Sequence, residues 1–171
     1  MTTPEPGLRV LFLCTGNSAR SQMAEAILNA KGKGQFRAES AGSQPAARIN
    51  TLTVATMQTF RRGWTGHPPR ALDGLEREHW DFVITVCDKA RESCPIFPGQ
   101  PVIAHWSMPD PAAVAGDADT MRKAFRDAFY LLSHRIELLV SLPIERLERL
   151  ALEAHVRAIG AGAANPAPQT I

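Results

Sequence analysis

Aromatic side chains are scarce in this chain of 171 residues. Phe, Trp and Tyr together make 6%, and there is one tyrosine, Tyr130. No apolar run approaches the ~20 residues that a membrane-crossing helix needs, so no membrane partner is expected. At Met1 to Gly7 no basic patch is followed by an apolar stretch. No secretory signal is therefore read there, and the expected location is the cytoplasm. Charge of one sign is lacking too. The 19 Lys and Arg exceed the 17 Asp and Glu by only two. The basic residues are scattered rather than striped, which argues against nucleic acid as a partner. Cysteine is limited to Cys14, Cys87 and Cys94. An odd count in a reducing compartment excludes a disulfide framework and leaves inert core thiols, a metal site or reactive thiols. Cys87 and Cys94, with His105 far along the chain, match no zinc-ligand spacing, and no other histidine stands at ligand spacing to a partner. No metal or cofactor is expected.

What is present is ordinary globular composition, 44% hydrophobic and 21% charged. A chain of this length buries roughly 70% of its unfolded surface, enough for one core without staples. There is no internal repeat. Residues 1–7 read as a polar tail, 8–142 as the main domain and 143–159 as a helical extension. Residues 160–171, without a charged side chain, read as a disordered tail. Leu8 to Cys14, Phe36 to Ala41, Phe82 to Cys87 and Val102 to Ala104 read as short buried strands. Helical spacing runs over 21–30, 50–62, 119–142 and 144–159, with a short helix at 72–79. Strands interleaved with helices indicate an α/β fold with a mostly parallel sheet. In such sheets ligands bind beyond the carboxyl ends of the strands, where Cys14, Cys87 and Asp110 all fall.

The segment Cys14-Thr15-Gly16-Asn17-Ser18-Ala19-Arg20-Ser21 is the most informative. A loop of small residues between a strand and a helix can turn successive N–H groups inward and form an anion nest. Gly16 permits a positive φ and Asn17 tolerates one. Arg20 offers a bidentate fork to a tetrahedral oxyanion. Such a field is expected to lower the pKa of Cys14, whose thiolate is a nucleophile.

This loop resembles the phosphate-binding loop of low-molecular-weight protein tyrosine phosphatases. The longer stretch CTGNSARSQMAEAILN is similar to the arsenate reductases built on that fold. The likeness continues through Glu39-Ser40-Ala41-Gly42, TVCDKARESCPIFPG and HWSMPDPA, and covers roughly residues 8–142. It implies a single three-layer domain, with a four-stranded parallel sheet and helices on both faces.

It also implies roles. The loop from Thr15 to Ser21 would hold arsenate, with phosphate or sulfate as mimics. Asn17 would stabilise the loop by side-chain hydrogen bonds, and Ser21 would bond the Cys14 thiolate or the leaving group. Asp110, stiffened between Pro109 and Pro111, matches the family's Asp-Pro general acid. Cys87 and Cys94 match the shuttle pair of thioredoxin-coupled arsenate reductases. Arsenate reduction needs two electrons, and two thiols becoming a disulfide supply them. Were 88–93 helical, Cys87 and Cys94 would stand ~10 Å apart, beyond the ~7 Å that a disulfide spans. A mobile segment over Asp88–Gly99 is therefore expected. Ala19 stands where some relatives carry a further cysteine. Other relatives use glutathione and glutaredoxin, so thioredoxin and glutaredoxin/glutathione both stay open as the reductant. Some members bind potassium beside the loop. Here His67-Pro68-Pro69-Arg70 falls at that place, and Arg70 is expected to fill it with its own charge. The remaining alternatives are a phosphomonoesterase using Cys14, Arg20 and Asp110, and a non-enzymatic thiol sensor or arsenical-binding protein. Aromatic residues beside the Asp-Pro would serve an aryl substrate, yet Ala112-Ala113 follow it here, which favours small oxyanions.

Overall fold

The computed structural model describes residues 7–162; of the tails expected at 1–7 and 160–171, residues 1–6 and 163–171 lie outside the described residues. Four parallel strands, β1 (Leu8–Cys14), β2 (Phe36–Gly42), β3 (Phe82–Thr85) and β4 (Val102–His105), form one sheet in the order β2-β1-β3-β4. The helices are α1 (Arg20–Lys31), α2 (Thr51–Phe60), α3 (Asp88–Glu92), α4 (Ala118–Ser141) and α5 (Arg149–Gly160). The expected helix at 72–79 is only a 3-10 turn at Leu75–Arg77, which follows Gly74 at φ 87°. Over 144–148 the expected α-helix is likewise replaced by a 3-10 turn at Ile144–Arg146 after Pro143, before α5 begins. No helix of the described residues is long and apolar enough to cross a membrane.

β1 is a central strand, and Val10 to Cys14 are buried without alternation. A parallel strand covered on both faces needs this continuous apolar run. Phe12 meets Trp106 with ring centroids 6.0 Å apart, and Phe36 meets Phe82 at 6.2 Å. α4 packs against α1, α2 and α5 and buries Phe125, Leu132, Ile136 and Leu139. These lie on the stripe expected from their spacing.

α5 lies against β4, at the end of the sheet order, and buries Leu152, Val156 and Ile159 in the same core as the rest of the chain. It also satisfies backbone groups along β4. Arg149 donates to the Gln100 carbonyl, and Arg157 Nε donates to the Ile103 carbonyl at 3.2 Å. Covering an edge strand in this way blocks its unpaired backbone from pairing elsewhere. Trp106 Nε1 donates to the Val156 carbonyl at 3.0 Å. Buried Arg135 bonds the Ser107 and Gly160 carbonyls at 3.0 and 3.2 Å. Gly160, expected to open the disordered tail, is instead the last residue of α5. Gly160 ends α5 so close to the His105 carbonyl and the Trp106 ring that a β-carbon has no room.

Gly160→Ala is expected to cost about 1–3 kcal/mol by overpacking. Urea unfolding would show it as a lowered midpoint at unchanged slope.

Candidate active site

The carboxyl ends of β1, β3 and β4 open on one cavity of about 400 Å³, lined by residues 14–20 together with Cys87, Asp88, Lys89, Asp110 and Ala112. The sheet order explains the gathering. β1 connects to β2 on one side and pairs with β3 on the other, so the loops after β1 and β3 diverge and leave a crevice.

The loop after β1 is shaped from outside. Ser43, Gln44, Ala46 and Asn50 donate their backbone N–H groups to the carbonyls of Cys14, Thr15, Gly16 and Ser18 at 2.9–3.1 Å. Gln22 Nε2 takes the Asn17 carbonyl at 2.8 Å, and Thr53 Oγ1 reinforces the Ser18 carbonyl at 2.8 Å. In a trans peptide the N–H points opposite to the C=O. Tying successive carbonyls outward therefore turns the intervening N–H groups inward, which is the nest geometry. Asn17 N–H reaches Cys14 Sγ at 3.1 Å. Of the two residues able to take a positive φ, Asn17 does so, at φ 50°, and Gly16 does not. The glycine that the loop requires is Gly42, on β2. A β-carbon there would strike the Thr15 carbonyl and come within 3.1 Å of Asn17 N.

Asn17 is fully buried and holds the site together through both ends of its amide. Its Nδ2 donates to Ser21 Oγ at 2.8 Å and to Ser40 Oγ at 2.9 Å. Its Oδ1 accepts from Arg70 N at 3.0 Å. Ser21 Oγ in turn lies 2.8 Å from Cys14 Sγ. The roles inferred for Asn17 and Ser21 from resemblance thus correspond to contacts in the structure.

Cys14 differs from expectation. Its thiol is pushed up rather than down, because burial of the side chain outweighs the hydrogen bonds from Ser21 and Asn17 that favour the thiolate. The Arg20 guanidinium is held by groups on the loops after β3 and β4. Nη1 bonds the Met108 carbonyl at 3.2 Å and the Val86 carbonyl at 3.5 Å, and Nη2 stands 3.6 Å from Asp110 Oδ2. Asp110 also caps the turn Pro111–Ala113, its Oδ1 accepting from Ala112 N at 3.0 Å. Arg20 and Asp110 therefore face the cavity as an ion pair.

Beside the loop, Arg70 bonds the Ser40 carbonyl at 2.8 Å and Glu39 at 3.0 Å. His67 Nε2 stands 2.7 Å from Glu25 Oε2 and 3.4 Å from Ser40 Oγ, while Nδ1 stands 2.8 Å from the Pro68 carbonyl. A carboxylate on one ring nitrogen and a carbonyl on the other suit the doubly protonated ring. The hydrogen bond to Glu25 raises the His67 pKa above its ordinary value, against the opposing effect of burial. These contacts make His67 a link between Glu25 and Ser40. The buried polar face of α1, with Ser21 and Gln22 beside Met23, was the available signal that polar partners lay beneath the loop.

The other two thiols approach Cys14 from different sides, and all three are free. Cys87 is buried, with Thr15 Oγ1 3.3 Å from its sulfur. Cys94 is half-buried; it shares with Cys14 and Ala90 a small void of about 10 Å³ behind the loop. Burial raises the Cys94 thiol also. The segment expected to be mobile begins as helix α3, its Asp88 fastened by His105 Nε2 at 2.8 Å. His105 Nδ1 meanwhile meets Thr85 Oγ1 at 2.7 Å.

Residues 9–150 match the sequence profile described as low molecular weight phosphotyrosine protein phosphatase. The chain belongs to that family. The resemblance read from the loop is borne out, as is the fold. An arsenate reductase of Oceanobacillus iheyensis is 30% identical over 129 residues, covering 75% of this chain and 92% of that protein. The crystal structure of an arsenate reductase from Archaeoglobus fulgidus is 31% identical at a TM-score of 0.56, over 75% of this chain and 98% of that one. A thioredoxin-dependent arsenate reductase of Corynebacterium glutamicum is 26% identical at 0.53, over 80% and 65%. Such likenesses make this phosphatase-family member an enzyme and set the non-catalytic alternative aside.

Ser21→Ala removes a bond that favours the Cys14 thiolate. The pH midpoint for iodoacetamide labelling of Cys14, followed by peptide mass spectrometry, is expected to move upward from its already raised position. His67 gives the opposite type of linkage. Its folded pKa is raised, so the stability it contributes is complete below the unfolded imidazole range and is lost as pH rises through the folded pKa. His67→Gln is expected to flatten the decline in urea stability over that window.

Proposed function

We propose that the chain reduces arsenate to arsenite with its own three thiols and is then regenerated by an external thiol system. The observation that carries the reading is that Cys14 borders Cys87 across the main cavity and Cys94 across the void behind it. A phosphomonoesterase has no use for either additional thiol. The cavity is lined by small and charged residues, with no aromatic side chain among the described lining residues, which suits a tetrahedral oxyanion.

Arsenate lies against the inward N–H groups of residues 15–20, with Arg20 exchanging part of its pairing to Asp110 and to carbonyls for the oxyanion. Cys14 thiolate attacks arsenic, and the carboxylic acid form of Asp110 protonates the departing oxygen, which leaves as water. Ser21 and the Asn17 N–H hold the thiolate as it forms. Cys87 thiolate then attacks Cys14 Sγ. The electron pair of the sulfur–arsenic bond stays on arsenic, arsenite departs and a Cys14–Cys87 disulfide remains. Cys94 next attacks Cys87, freeing Cys14 and leaving Cys87–Cys94. α3 must unwind for this last exchange, since its turn separates the two sulfurs. Thioredoxin, or glutaredoxin with glutathione, reduces the final disulfide; the likeness to a thioredoxin-dependent enzyme supports the former. The cytoplasm is the compartment proposed, because the cycle starts from reduced thiols.

Fully reduced protein mixed with arsenate and no reductant is expected to release about one arsenite per chain and lose two thiols. Cys94→Ser retains that single event but stalls with thioredoxin, and Cys87→Ser releases none. Arsenite release from Cys87→Ser at the rate of the unaltered chain would overturn the relay.

A further inference from the structure

On the side away from the catalytic cavity, Cys94 opens onto two adjoining grooves of about 530 and 620 Å³. One wall of both is α5. Almost all of α5 lies beyond residue 150, where the family match stops. Its inner face is committed to the core through Leu152, Val156 and Ile159, while Arg149, Leu150 and Arg157 stay on the outside. Leu150 is 80% exposed and Ile96, facing it from the Cys94 loop, is 96% exposed. Ile103 of β4 is partly exposed between them at 38%. Large aliphatic side chains so close together in solvent mark an interaction surface rather than scattered exposure. Arg91, Arg149 and Arg157 stand exposed around it, and among the described residues lining the two grooves Glu153 is the one carboxylate.

We propose that α5 and the Cys94 loop together form the docking surface for a small dithiol protein. Its face around the reactive thiol would be apolar and acidic. The inference rests on the reductase reading above, because that reading requires an outside thiol to reach a Cys87–Cys94 disulfide. Cys94 is the half-buried sulfur that opens on these grooves, whereas Cys87 faces the catalytic cavity. The partner's thiolate attacks Cys94 Sγ and displaces Cys87 as a thiolate. The partner's second thiol then attacks the mixed disulfide and frees Cys94. Two electrons pass to the enzyme and the partner leaves as its own disulfide. The aliphatic pair supplies the contact area. The arginine rim supplies the attraction for an acidic face, and such attraction acts on encounter and weakens as salt rises. A small thiol would gain nothing from two protruding aliphatic side chains.

The test is the double variant I96D/L150D, both positions being exposed and outside the catalytic machinery. Steady-state arsenate reduction is measured with purified bacterial thioredoxin, thioredoxin reductase and NADPH. It is measured again with dithiothreitol, which needs no docking surface. The expected result is a KM for thioredoxin raised about tenfold or more, as for loss of two interface anchors. The dithiothreitol-driven rate and single-turnover arsenite release stay unchanged. In the unaltered chain the same KM rises with ionic strength. A thioredoxin KM unchanged in the variant overturns the docking surface while leaving the reductase reading intact. Turnover of the unaltered chain with glutathione alone, and none with thioredoxin, overturns it also. Absence of arsenite in the single-turnover experiment instead overturns the reductase reading on which it rests.

Discussion

The orientation of five peptide groups between Cys14 and Ala19 is the constraint on which the site depends. An anion nest carries no charge of its own; it works only if its N–H groups converge, and isolated peptides have no reason to converge. Here the convergence is imposed by the segment 43–50 and by Gln22 and Thr53, which draw the carbonyls of the loop away from the cavity. Because the backbone groups on the outer side are satisfied, the inner ones can be left for a ligand without an energetic penalty elsewhere. Gly42 makes the approach possible, since any side chain there would collide with the Thr15 carbonyl. The signature loop is therefore only half of the site, and the strap behind it is the other half.

The same preorganisation explains the state of Cys14. A sulfur enclosed at the end of a central strand is desolvated, and desolvation opposes the thiolate. Ser21 and Asn17 offset part of that cost by aiming donors at it. Asn17 is itself held through Ser40, which touches the His67–Glu25 pair. A chain of hydrogen bonds thus runs from an ion pair beside α1 to the nucleophile. Low local dielectric makes every member of such a network consequential.

On the other side of the cavity the fold brings a second constraint. α5 closes the edge of the sheet, and Arg135 ties its last turn to the loop that follows β4. That loop carries the Met108 carbonyl and Asp110, two of the partners of Arg20. A helix outside the region shared with the family is thereby connected to residues that line the main cavity. The basic and aliphatic outer face of α5 then lies close to Cys94, with which it lines two grooves.

Much was legible in the residues themselves. The unbroken apolar run Leu8–Cys14 identified a buried parallel strand, the helical spacing over 119–142 identified α4, and the loop Cys14–Ser21 identified the family. These features depend on local periodicity and on short-range turn chemistry, which a sequence states directly. The upward shift of the Cys14 thiol, the pairing of His67 with Glu25, and the role of Gly42 were not legible. Each depends on which side chains meet across 20 to 60 residues of chain and on how much water that meeting removes. The helical pattern of residues 144–159 was visible, yet its place against β4 and beside Cys94 was not, because amphipathicity says that a helix has a buried face without saying what buries it. The sequence by itself determined the chemistry this protein carries. Tertiary structure decided how that chemistry is oriented, because burial and hydrogen-bond direction exist only once distant segments are packed together.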